Sequence, residues 1–182
     1  MALHHLIAPD DCIEQYEKAA GEKHESGFLL LGAGYASGVE PLAFSVEMVL
    51  KASYFRLIGY APTRSIGTTD LRDAERDIQS LGVSHPAQSF HNLEFWAEGL
   101  IALHGNGLPA RSYGGRSYPA ILAQPMQTAD ADRLRQCAAR LMTNWNVSDR
   151  YKAVQPHANK QDLEAVFDDA LGIASLYDEG RI

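Results

Sequence analysis

From residue 159 onward one pattern dominates: Leu163, Val166, Phe167, Ala170, Leu171, Ala174 and Tyr177 recur at helical spacing for two full cycles. A stripe of that width has to be buried against other helices, and Asn159 with Asp162 supplies a start for it. The rest of the chain offers partners of the same kind. Pro9 and Asp10-Asp11 open a first helix that ends at Gly32-Ala33-Gly34. Leu42, Val46, Val49, Leu50 and Leu57 mark a second from Val39 to Ile58, with Pro41 in its first turn and Gly59 as its stop. Thr69-Asp70 with Asp73 resembles a capping arrangement opening a short helix to Leu81. Two more helices are predicted, from Ser89 to His104, closed by Gly105, and from Thr128 to about Trp145. With no competing strand alternation and no internal repeat, the expected fold is all-α: an antiparallel bundle of four long helices plus a short helix. The 182 residues fit a single domain, 1–182, with an irregular Gly/Pro-containing insertion at about 105–127.

Composition narrows the function. Apolar residues make up 46% and charged residues 21%, and no apolar run approaches the roughly 20 residues that span a bilayer, so a folded protein without membrane association is expected. The start, MALHHLIAPDD, lacks the basic and apolar regions of a secretory signal, which makes the cytoplasm the expected compartment. Cys12 and Cys137 are the only cysteines, too few and too far apart for a disulfide framework or a thiolate zinc site, and are expected as reduced, buried thiols. The net charge of −7 argues against a protein that coats nucleic acid along its whole surface. It is unevenly spread, however: residues 110–160 hold 8 Lys+Arg against 3 Asp+Glu, and residues 161–182 hold 1 against 6. The basic stretch (Arg111, Arg116, Arg133, Arg135, Arg140, Arg150) either meets phosphate or forms solvated helix faces.

Several motifs imitate chemistry without its context. Phe28-Leu-Leu-Leu-Gly32-Ala-Gly34-Tyr-Ala-Ser-Gly38 is a near miss to a dinucleotide fingerprint, but helical rather than strand sequence precedes it, so its glycines read as an interhelical turn and no cofactor is expected. Ser37 lacks the Gly-x-Ser-x-Gly order of a nucleophile elbow, and Gly114-Gly115-Arg116-Ser117 lacks a P-loop lysine. His91, Glu94 and Glu98 share a helix face, and His4-His5 stand together, but neither group supplies the three or four convergent ligands a metal requires. No metal site is expected, and surface or interhelical hydrogen bonding accounts for these histidines.

Three segments, in order, resemble the HEPN family of small helical domains, which occur beside nucleotidyltransferases and in toxin and defence systems. Gly34-Tyr35-Ala36 followed by Val46-Glu47 and Leu50-Lys51-Ala52 is similar to the family's tyrosine-containing turn and the helix after it. His91-Asn92-Leu93 resembles its His-x-Leu, and Trp145 through Arg150-Tyr151 its connector into the last helix, which Asp162 to Tyr177 resembles. The likeness spans roughly residues 15–180, with 105–127 as an unmatched insertion. Glu47 and Lys51 also stand in the favourable i, i+4 order for an ion pair, so a purely structural role explains them equally well.

The resemblance implies a HEPN-like bundle, a homodimer, and one of two functions. The first is an accessory or binding module that partners a nucleotidyltransferase or another nucleotide-handling protein and does no chemistry. The second is a metal-independent ribonuclease in which His157 serves as acid or base at a ribose hydroxyl and Arg150 stabilises the phosphate. Arg116, Lys152 and Asn159 are then candidates for binding phosphate or RNA. Two features depart from the catalytic pattern: Tyr151 follows the arginine, and Pro156 restricts the backbone before His157. Arg150 otherwise reads as an ion-pair partner of Asp149 or Asp169. A third reading, outside the family, is a helical protein holding a small ligand in a cavity beside the 105–127 loop. Tyr113, Tyr118 and Trp145 suit base stacking or a core.

Overall fold

A computed structural model describes residues 11–84, 89–144 and 160–182. Within them the protein is an all-α bundle: α1 (Ile13–Gly32), α2 (Val39–Leu57), α3 (Thr68–Ser80), α4 (Leu93–Asn106), α5 (Thr128–Asn144) and α6 (Lys160–Asp178). No described helix is long and apolar enough to cross a membrane.

α2 is the central helix, touching α1, α4, α5 and α6. Its sequence suits that position, because Leu42, Val46, Leu50 and Tyr54 lie buried on one side and Ala43, Ala52 and Phe55 on others. Burying a side chain the size of leucine stabilises by about 1.5–3 kcal/mol, so a helix buried most of the way round anchors the whole bundle. Its fit against α1 depends on two glycines. A Cβ on Gly27 would stand 2.6 Å from Leu42 Cγ, and one on Gly38 2.7 Å from the Gly27 carbonyl oxygen, so only hydrogen at both positions lets the helices come this close. The expected interhelical turn is present: α1 ends at Gly32, and a short 3-10 turn at Ala36–Gly38 leads into α2 with Pro41 in its first turn. Tyr54, Phe55, Tyr60, Phe95 and Trp96 meet in tilted and edge-on pairs between α2 and α4. Glu17 of α1 receives both the Tyr177 hydroxyl of α6 and the Arg56 guanidinium of α2. Asp169, one of the carboxylates weighed for Arg150, is buried in α6 and accepts Arg140 Nε of α5 at 2.9 Å.

Several features differ from expectation: α4 runs past Gly105 to Asn106, with Gly107 at φ 63° as its stop. α4 begins at Leu93, after a 3-10 turn at Ser89–His91, because the Asn92 side chain caps it by accepting the Phe95 N–H at 2.8 Å. The insertion read as irregular contains a β-hairpin, β1 (Arg111–Tyr113) paired antiparallel with β2 (Arg116–Tyr118). Gly114 and Gly115 both adopt positive φ, 55° and 82°, the geometry a two-residue hairpin turn demands.

The hairpin is clamped to α3 by carboxylates. Asp70, Asp73 and Asp77 stand three and four residues apart, on one face of α3, and all three are buried. Asp77 accepts the Tyr54 hydroxyl at 2.8 Å, the Tyr113 hydroxyl at 2.9 Å, and both Nε and Nη2 of Arg111 at 2.5 Å. Asp73 accepts the Tyr118 hydroxyl at 2.9 Å. Asp70 accepts the Gly67 N–H that starts α3, the Tyr60 hydroxyl and Arg116 Nη1, each at 2.8 Å. The cap differs from the expected one: Gly67 is the N-cap residue and Asp70 closes it, Asp73 takes no part, and the helix runs from Thr68 to Ser80, one residue earlier at each end than expected. The carboxylates of α3 also form the hairpin's hydrogen-bond ladder. Burial, then Asp77, pushes the Tyr54 and Tyr113 hydroxyls above their ordinary range, so both stay donors.

Candidate functional site

Glu47 and Lys51 lie on successive turns of α2, buried by the neighbouring helices, and Lys51 Nζ donates to Glu47 Oε1 at 2.6 Å. His91, 44 positions further along, brings its Nδ1 within 3.1 Å of both Glu47 oxygens. The ammonium of Lys51 also lies 5.6 Å from the centroid of the Trp96 ring. Burial alone would push the Glu47 carboxyl up. The Lys51 charge and the His91 contact outweigh it and hold the carboxyl below its usual range. The result is a buried carboxylate with an ammonium on one side and a partly exposed imidazole on the other. Residues from the first two segments of the family resemblance thus meet at one place. The Glu47–Lys51 ion pair that the i, i+4 spacing allows is present, and His91 makes a hydrogen bond to Glu47 of α2. Among the described residues no group of three or more His, Cys, Asp or Glu side chains is arranged to hold a metal ion.

Of the remaining predicted site residues, Arg116 lies on β2, about half exposed, and its guanidinium contacts Asp70. Its neighbours in the basic stretch are similarly engaged: Arg111 with Asp77, Arg135 with Glu98, and Arg140 with Asp169. Tyr113 and Tyr118 turn their hydroxyls to α3. Arg150, Lys152, His157 and Asn159, together with Trp145, Pro156 and the His4-His5 pair, lie outside the described residues. Both cysteines are buried and free. A cavity of about 290 Å³ does sit beside the insertion, between Leu57, Leu103, His104 and Leu122. His104 Nδ1 contacts the Gln124 carbonyl oxygen at 2.9 Å, whereas its Nε2 is sealed from solvent with no hydrogen-bond partner among the described residues.

Sequence reasoning passed over a second feature, on the outside of α1 and α6. Phe28, Leu29 and Tyr35, at the end of α1 and in the turn after it, are 49%, 62% and 61% exposed, and Leu171 of α6 is 44% exposed. The Phe28 ring lies 5.0 Å from that of Phe167, one turn before Leu171, and the His24 ring 6.2 Å from Phe167. His24 Nδ1 is buried with no hydrogen-bond partner among the described residues, and burial lowers the pKa of the imidazole, which favours its neutral form. The signal was available: Leu171 falls on the outer margin of an α6 stripe wider than one buried seam needs.

Comparison of the chain with protein-family models, curated proteins and solved structures finds no match.

Proposed function

We propose that this chain is a HEPN-like accessory module that binds a nucleotide-handling protein, such as a nucleotidyltransferase, and performs no chemistry of its own. The observation that carries this reading is the meeting of Glu47, Lys51 and His91, residues from separate segments of the resemblance, in one buried cluster. A carboxylate paired with an ammonium on one side, in contact with an imidazole on the other and closed off from solvent holds helices in place. It is poorly suited to attack or to proton transfer on a bound substrate. Engagement of Arg111, Arg116, Arg135 and Arg140 by carboxylates supports the same reading, since guanidinium groups so occupied leave less charge for a phosphate backbone.

The test is cleavage of a mixed labelled RNA by the purified protein with chelator present, comparing the parent with His157→Ala at matched concentration and folding. The module reading expects intact RNA with both proteins. Metal-independent cleavage that disappears in His157→Ala overturns it and assigns the ribonuclease function.

A further inference from the structure

We infer that the outer face of α1 and α6 is a docking surface for a protein partner with an apolar centre and a basic rim. Phe28 and Leu29 near the end of α1, Tyr35 in the turn after it and Leu171 of α6 are exposed, and the Phe28–Phe167 contact, one turn before Leu171, joins the two helices into one surface. Scattered exposed apolar residues are ordinary on any protein; several collected on one face mark an interaction surface.

The partner's chemistry follows from the charges beside that face. Two of the exposed anchors have an exposed carboxylate three residues before them, Glu25 before Phe28 and Asp168 before Leu171, and Glu164 stands likewise before the half-buried Phe167. That spacing puts carboxylate and anchor side by side on the helix surface. From residue 161 to 178 α6 carries no Lys or Arg and five acidic residues, of which Asp169 is buried against Arg140 of α5; Arg133 lies beside Gly172, and α1 adds Lys18 and Lys23 to its own acidic set. An apolar centre flanked by anions favours a partner whose apolar centre is flanked by cations, whereas two copies of the face set together bring like charges close. Proteins that bind nucleic acid carry basic patches, so a partner of this charge is compatible with the proposed function. The partner's identity as a nucleotide handler rests on that reading, but the surface does not, and the two fail in different experiments: RNA cleavage removes the reading, peptide binding the surface.

Two synthetic 18-residue amphipathic helices test the surface by fluorescence anisotropy against the full chain. Both carry the same leucine face, flanked by Lys and Arg in one and by Glu in the other. The basic-rimmed peptide is expected to bind at least about tenfold more tightly, a ratio worth about 1.4 kcal/mol, and to weaken several-fold as salt rises. Phe28→Ser with Leu171→Ser is expected to lose that binding about tenfold or more. Glu25→Lys with Asp168→Lys, which leaves the apolar anchors in place, is expected to reverse the preference. Equal binding of the two peptides, or binding unchanged by either pair of substitutions, overturns the inference. So does a dimer, measured by light scattering, that becomes monomeric in Phe28→Ser/Leu171→Ser, because a second copy then occupies the face. Destabilisation of that variant comparable to a core truncation also overturns it, because the face is then covered by the chain itself.

Discussion

Asp77→Ala removes the acceptor at the centre of the hairpin clamp, and its cost can be worked from the geometry. The carboxylate is 3% exposed and receives four hydrogen bonds, two of them from an Arg111 side chain itself only 8% exposed. Deleting one partner of a buried ion pair costs about 3–5 kcal/mol, mostly because the remaining charge is left uncompensated. The Tyr54 hydroxyl, fully buried, loses its acceptor as well, at about 1–3 kcal/mol. These costs overlap because the structure relaxes around a single vacancy, so the expected loss is about 4 kcal/mol. In a chain of this size that lowers the midpoint of thermal unfolding by roughly 8–16 °C. Urea unfolding followed by circular dichroism measures the loss. Asp77→Ala/Arg111→Met, which removes both charges, should be the more stable of the two variants by at least about 1 kcal/mol. A loss below about 1 kcal/mol in Asp77→Ala, or a double variant no more stable than the single one, refutes the clamp.

Two further outcomes follow from the buried titratable groups. Because Lys51 and His91 hold the Glu47 carboxyl below its unfolded value of about 4.3, the ionised form contributes stability that is complete above that pH and is lost as pH falls through the lower folded value. The urea midpoint of the parent should therefore fall between about pH 5 and pH 3 more steeply than that of Glu47→Gln, and parallel slopes contradict the assignment. Burial, then Asp169, pushes the Cys137 thiol up to about 11. It should resist iodoacetamide at pH 8 in the folded protein and react only in denaturant, so rapid alkylation of the native chain contradicts the buried position.

The helices were legible because each carries enough turns for a 3.6-residue period to show. α2 and α6 could be read from apolar spacing, and the glycines after α1 and α2 from their effect on a helix end. The hairpin was not, since three residues per strand are too few for alternation to register. Its local signal was the repeated Arg-Ser-Tyr on either side of Gly114-Gly115, where two glycines between matching strands mark a tight turn. The aspartates of α3 were read only as a cap because the groups they bind lie up to 46 positions away, a distance over which local propensity carries no information. The Glu47–Lys51 pair was readable from its i, i+4 spacing, whereas the arrival of His91 depends on how α2 and α4 pack. The apolar face escaped notice because Phe28 and Leu171 sit in sequences that look like core. Their exposure follows from how α6 is seated beside α1.

Hydrogen–deuterium exchange of the full chain with and without the basic-rimmed helical peptide addresses the binding-module account most directly, since it reports where a partner sits. The account predicts slowed exchange confined to the last two turns of α1, the turn through Tyr35, and α6 between Glu164 and Ser175. Protection centred instead on the β-hairpin or on the cavity beside His104, or no protection at saturating peptide, would contradict it.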